Sequence, residues 1–290
     1  MRDEDIQLLH GQGVISQAKE KTDFQLYETH ISWVFVGKQY TYKIKKPLSF
    51  SFLDFSTRQK RKYYCEREIE RNSRQTKGIY LHVCPVYKQD NALWIGNDHE
   101  EAQIIDYAVK MVSLSNDKRM DHMLKADKVT EQHIEAVADQ LAPFHRNEEV
   151  IDKGNDAEQM RYIFQDIVNV KDYLTEHLGN EAGHIIDEAI TVSNNFLEQF
   201  DWLLQEREKD GYVKDGHGDL HSGNIFLYDK PVIFDCIEFN DDFRQIDVLD
   251  EIAFFCMDLE LAGREDFSQH FLRYYLTLNP CMHSSDEEKL

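Results

Sequence analysis

The chain has 290 residues, 41% hydrophobic and 30% charged, enough apolar material for one large folded unit or two lobes and too much for a disordered chain. Its 33 Lys and Arg against 54 Asp and Glu leave a formal charge of -21, which repels nucleic acid and anionic membranes and attracts cationic partners. The five cysteines are scattered without a C-x-x-C pair, so neither a structural zinc nor a disulfide framework is expected. With no signal-peptide pattern at Met1-Arg-Asp-Glu-Asp5 and no apolar run of membrane-spanning length, a cytoplasmic location away from membranes is expected.

In chain order, a short helix is expected around Ile6, Leu8 and Leu9, ahead of Lys21. Aromatic and β-branched residues then predict strands at 24–27, 30–36 and 39–45, with a hairpin turn at Gly37-Lys38 and a stop at Pro47. Alternation puts Lys43 and Lys45 on one face of the third strand. A long charged helix follows over 57–76, capped by Ser56 or Thr57, and carries Glu66, Glu68 and Glu70. Strands at 80–87, 92–95 and 104–112, divided by turns at 89–91 and 96–98, complete an antiparallel sheet of about five strands.

From Thr130 the period becomes helical. One apolar stripe holds Ile134, Val137, Ala138, Leu141, Phe144 and His145; a second runs from Met160 through Ile163, Phe164 and Ile167 to Tyr173; a third runs from Ile185 through Val192 and Phe196 to Trp202 and Leu203. All three are expected to face the core, since such stripes are more often core than cofactor contacts. Residues 147–156 read as an exposed loop, and 281–290 as a polar tail expected to be disordered.

Between these helices and the carboxyl end lies His217-Gly-Asp-Leu-His-Ser-Gly-Asn224, followed by Val232-Ile-Phe-Asp235. Gly218 and Gly223 permit a tight loop, and 225–227 and 232–234 read as a hairpin whose open end sets Asn224 beside Asp235. Phosphoryl transfer from a nucleoside triphosphate needs these groups in this order. Asp219 would take or orient the acceptor proton, while Asn224 and Asp235 are hard oxygen donors suited to Mg²⁺ and not to zinc. A surface loop in which Asp and Asn only initiate turns would need neither His217 nor the second Asp.

This loop resembles the catalytic loop of the aminoglycoside phosphotransferase-like kinases. With Tyr42-Lys-Ile-Lys-Lys-Pro-Leu-Ser-Phe-Ser-Phe-Leu-Asp-Phe-Ser-Thr57 and Asp235-Cys-Ile-Glu-Phe-Asn240, the resemblance narrows to the kinase-like half of bacterial proteins that fuse such a domain to a P-loop ATP-binding domain. It runs from about Thr29 to about Glu260. It implies an α+β, two-lobed protein-kinase-like fold: a β-rich nucleotide-binding lobe over 1–113 and a mainly helical lobe over 114–280. It also implies ATP and Mg²⁺ in the cleft, and transfer of the γ-phosphoryl group to a hydroxyl of a small, possibly cationic acceptor.

On the same resemblance Lys43 holds the phosphates, with Lys45 the alternative, and Glu68 positions the lysine, with Glu66 and Glu70 left open. Residues 110–113 fall at the hinge, where Met111 and Val112 would meet the adenine, although a lone Met is more commonly core. His217 would hold the loop backbone. No G-x-G-x-x-G covers the phosphates, so the amides of Thr29-His-Ile-Ser32 are expected there, with Ser32 as the contact. The family's bracing Asp is here Glu251, one methylene longer, which leaves Asp247 and Asp250 as alternatives.

The sequence as given has no G-x-x-x-x-G-K-[ST], which leaves open a separately encoded P-loop partner or a longer fusion of which this chain is a part, and no Ala-Pro-Glu, which argues against a protein kinase. A non-catalytic nucleotide-binding module is the other reading. Neither the acceptor nor the oligomeric state is legible.

Overall fold

The computed structural model describes residues 1–12, 24–96, 101–152, 157–284 and 286–287. Asn97 and Asp98 of the expected turn, residues 153–156 of the expected loop, and residues 285 and 288–290 of the expected tail lie outside them.

Helix α1 (Asp3–Gln12) is followed by strands β1 (Gln25–Glu28), β2 (Ser32–Val36), β3 (Tyr40–Lys45), β4 (Ser49–Phe50) and β5 (Leu53–Asp54). Helix α2 (Arg58–Asn72) then leads into β6 (Tyr80–Gln89), β7 (Ala92–Ile95) and β8 (Gln103–Val112). Six of these strands, the six segments expected from the sequence, form an antiparallel sheet ordered β1-β2-β3-β8-β6-β7, while β4 and β5 pair as a separate short hairpin. Ile6 and Leu9 of α1 pack with Trp33, Phe35, Tyr42, Ile44 and Val86 on one face of the sheet. The other face receives α2, whose Thr57 cap accepts a hydrogen bond from the Lys60 amide at 3.2 Å. Arg61, Cys65, Glu68 and Asn72 recur at helical spacing and form its buried side.

The rest is mainly helical: α3 (Met120–Lys125), α4 (Glu131–Asn147), α5 (Ala157–Gln165), α6 (Lys171–Leu178) and α7 (Asn180–Lys209), then α8 (Val248–Leu261) and α9 (Glu265–Leu278). Short strands β9 (Val213–Asp215), β10 (Ile225–Phe226), β11 (Val232–Ile233) and β12 (Gln245–Asp247) lie between α7 and α8. The largest core cluster joins α4, α8 and α9 through Ile134, Val137, Leu141, Ile252, Phe255 and Phe271.

Two expectations change here. The second and third helical stripes are only partly covered: Leu197, Phe200 and Leu203 are buried, but Tyr173, Ile185, Val192 and Trp202 are each more than half exposed, because α5 and α7 share only a small cluster around Ala157, Leu197 and Leu204. The described part of the tail is packed: Cys281 is buried, and Arg207 donates to its carbonyl at 2.7 Å and to the Glu287 carboxylate at 2.6 Å. Among the described residues no helix is long and apolar enough to cross a membrane.

Candidate active site

Strand β3 carries Lys43 and Lys45 toward α2, as the alternation requires. Glu68, fully buried, lies between them: one carboxylate oxygen is 3.0 Å from Lys43 Nζ and the other 2.7 Å from Lys45 Nζ. Glu66 and Glu70 sit on the exposed side of α2 and take no part. Lys43 also reaches Asp235 Oδ1 at 2.5 Å, whereas Lys45 pairs with Glu238. Burial disfavours the charge on both lysines, but the carboxylates overcome it: Asp235 and Glu68 hold Lys43 well above its usual range, and Glu238 and Glu68 do the same for Lys45. Burial conversely raises the Glu238 carboxyl despite Lys45. Glu238, three residues after Asp235, is the member of this cluster that the sequence reading did not assign.

The His217–Asn224 loop follows β9 and is held chiefly through its backbone. Glu251 of α8 accepts from the amides of His217 (2.6 Å) and Gly218 (3.1 Å), and its other oxygen contacts His145 Nε2 at 3.0 Å. Tyr275 Oη lies 2.6 Å from His145 Nδ1, which extends the buried chain into α9. Glu251 therefore takes the bracing position, while Asp247 caps α8 and binds Arg207. Its extra methylene is accommodated because Gly216 has no side chain; a Cβ there would collide with the Glu251 carboxylate. Burial pushes the Glu251 carboxyl up, and His145 with the loop contacts brings it below its usual value. Arg74 donates to the carbonyls of Asp215 (2.8 Å) and Gly216 (3.0 Å), fixing the loop entry from the α2 side.

His217 is fully buried; its Nε2 donates to the Phe234 carbonyl at 2.9 Å, and its Nδ1 accepts from the Asp219 amide at 3.2 Å. Burial lowers its pKa, so the ring stays neutral and ties the loop to the hairpin. Asp219 is partly exposed, with a side chain 44% accessible. Asn224 Nδ2 donates to both Asp219 O and Oδ2 at 3.0 Å, and His221 lies 3.6 Å from the same carboxylate. Burial would raise the Asp219 carboxyl; His221 foremost, with His217 and Asn224, keeps it lowered and ionised. His221 is thus a neighbour of the expected base.

Ile225 pairs with Ile233 across the hairpin, and the Phe234 amide donates to Asn224 O at 3.0 Å, which brings Asn224 and Asp235 to its open end. Asp235 has φ 64°, a left-handed conformation that costs a residue with a side chain about 1–3 kcal/mol unless its surroundings impose it. Tyr80 Oη accepts from its amide at 3.2 Å, and Asn72 Oδ1 accepts from the Cys236 amide at 2.9 Å. Asp219, Asn224, Asp235, Lys43 and Glu68 therefore converge.

The remaining expected contacts fall differently. Met111 packs in a small core with Cys65, Tyr80 and Val109, and the Val112 amide is bonded to the Ile79 carbonyl at 2.9 Å. The Ser32 amide is bonded to Thr29 Oγ1 at 2.9 Å and the Thr29 amide to Ser32 O, so the turn satisfies these two donors internally. The Ser32 hydroxyl is buried without a hydrogen-bond partner.

A cation fits the donor set at the hairpin. Asn224 commits its amide nitrogen to Asp219, which leaves its oxygen, and Asp235 supplies a carboxylate. Mg²⁺ is commonly held by one or two such oxygens with substrate phosphates and water completing the shell. Among the described residues no group of three or more His, Cys, Asp or Glu could hold an ion by itself.

A strand lysine paired with a helix glutamate, a His-x-Asp-x-x-x-x-Asn loop and an Asp closing the next hairpin make this α+β architecture kinase-like. No family model matches the chain. Uncharacterized proteins of Mycobacterium bovis and of two strains of Mycobacterium tuberculosis are 30% identical to it over 253 residues, 86% of this chain and 48% of theirs. The chain thus spans about half the length of the curated relatives it matches. Among solved structures, a choline/ethanolamine kinase family protein from Mesorhizobium loti is similar over 95% of this chain and 75% of its own, at 10% identity and a TM-score of 0.47. An aminoglycoside-3'-phosphotransferase of type VIII is similar over 98% of this chain and 94% of its own, at 15% identity and a TM-score of 0.46.

Proposed function

We propose that the chain is a small-molecule kinase of the aminoglycoside phosphotransferase-like group, moving the γ-phosphoryl group of ATP to an alcohol. The observation that carries the reading is the convergence of Asp219, Asn224 and Asp235 on one side of the cleft with the Lys43–Glu68 pair on the other. Asp219, ionised and partly exposed, accepts the hydroxyl proton as the acceptor oxygen bonds to the γ-phosphorus. The bond from that phosphorus to the β,γ-bridging oxygen breaks, and its electron pair leaves with ADP. Lys43 exchanges Asp235 for the α- and β-phosphates while Glu68 holds its ammonium in place. With Lys43 so engaged, the Asp235 carboxylate and Asn224 Oδ1 would hold Mg²⁺, which would neutralise charge on the phosphates.

Asp219→Ala is expected to slow transfer by about 10²–10⁴-fold, the usual worth of a positioned base, while ATP·Mg²⁺ still raises the melting temperature. Turnover that survives the substitution would remove Asp219 from this role. ATP·Mg²⁺ binding by the native chain with no transfer to any alcohol would favour a non-catalytic nucleotide-binding module.

A further inference from the structure

A cavity of about 400 Å³ opens beside the catalytic loop, with Gly218, the neighbour of Asp219, in its wall. That volume lies within the range of about 300–1,000 Å³ usual for small-molecule sites. Met160, Ile163 and Phe164 line it from α5, Phe196 and Leu197 from α7, and Phe243 from the segment before β12. Among the described residues Asp242 is its only charged lining residue. The apolar surface continues outward: the Phe243 ring lies 5.8 Å from Phe52, which stacks on Phe50 at 5.7 Å, and both belong to the exposed β4–β5 hairpin. Ser51 of that hairpin donates to Asp166 Oδ2, just beyond α5, at 2.7 Å.

We infer, on the basis of the phosphotransferase reading, that this cavity is the acceptor site and that the acceptor is an alcohol with an apolar, ring-containing body. A polycation such as an aminoglycoside or a polyamine would bring several ammonium groups against walls that offer one carboxylate, and unpaired charge is costly to bury. The net charge of -21 gathers cations at long range, but the cavity wall supplies no matching set of partners. Flat apolar bodies gain from the rings of Phe164, Phe196 and Phe243. An alcohol seated so presents its hydroxyl toward the Gly218–Asp219 step, and its proton and phosphoryl group are exchanged as described above.

The test uses the full chain with ATP and Mg²⁺ and the series phenylethanol, phenylpropanol, phenylbutanol and phenylpentanol, beside kanamycin. Affinity is read by calorimetry and phosphorylation by radiolabelled ATP. Affinity should rise up to about fourfold for each added methylene, and kanamycin should not compete. Ser193→Trp, which places an indole in the cavity wall, should weaken phenylpentanol at least about tenfold, with ATP·Mg²⁺ binding retained as proof of folding. A flat series, indifference to Ser193→Trp, or tighter binding of kanamycin in competition would overturn the inference. ATP·Mg²⁺ binding with a flat series would sink the cavity inference alone. The predicted series with neither ATP·Mg²⁺ binding nor phosphorylation would sink the phosphotransferase reading and, with it, the acceptor role.

Discussion

Helices α4, α8 and α9 and helices α5, α6 and α7 carry apolar stripes of the same kind, yet the fold treats them differently. The first set closes on itself: Phe255, Phe271 and Tyr275 are fully buried, and His145 and Glu251 are buried with partners. The second set leaves Tyr162, Leu178 and Val192 largely exposed and shares only a small cluster. Glu251 links the first set directly to the catalytic backbone, whereas α5 and α7 meet the loop across a cavity. One set braces the His217–Asn224 loop, and the other lines the cavity beside it. Periodicity alone could not separate them, because it reports that a face is apolar and not what covers it.

Substitutions in the two sets should therefore diverge. Glu251→Ala removes the acceptor of the buried His217 amide and the part-buried Gly218 amide and leaves His145 without its carboxylate, so urea unfolding should show a loss of about 2–5 kcal/mol. Phe255→Ala, whose ring packs 4.8 Å from Phe271, should cost a similar amount by the cavity it leaves. Losses under about 1 kcal/mol at both positions would contradict the rigid half of the comparison.

Acid should act on the same set. The folded His217 pKa lies below its ordinary 6.5 and that of Glu251 below its ordinary 4.5. Both contributions are therefore complete above those values and are lost as pH falls toward the folded ones. His217 should give way first, beginning below pH 6.5, and Glu251 below pH 4.5. Between pH 7.5 and 5.5 the native chain should lose more stability than His217→Asn. An equal loss would place the proton elsewhere. Trp202→Ser on α7 should give the smallest effect, within about 0.5 kcal/mol, because more than half of that side chain already meets solvent.

Much of the site was legible because it depends on short-range order. His217, Asp219, Asn224 and Asp235 fall in one loop and hairpin, and strand alternation put Lys43 beside Lys45. The choice of Glu68 was also available locally, since Arg61, Cys65, Glu68 and Asn72 share one helical face. Other parts depend on distant contacts. Glu251 could be recognised as the brace only with the space at Gly216 in view, and Glu238 only once its loop had folded back onto Lys45. The Thr29–Ser32 turn depends on its fold as well: its sequence offers amides, and Thr29 Oγ1 and Ser32 O occupy two of them. On α8 the buried side runs through Val248, Ile252, Phe255 and Leu259, while Ala253 is exposed.

Binding of a nucleoside triphosphate with a divalent cation by these residues is the step on which the proposed function rests. Its most direct test is the thermal unfolding of the native chain and of Asp235→Ala, each with ATP, Mg²⁺, both or neither. At a hundred times the dissociation constant, binding should add about 2.7 kcal/mol, a shift of several degrees. The shift should require both components and disappear in Asp235→Ala. A native chain that melts at the same temperature in all four conditions, or an Asp235→Ala variant that keeps the full shift, would contradict it.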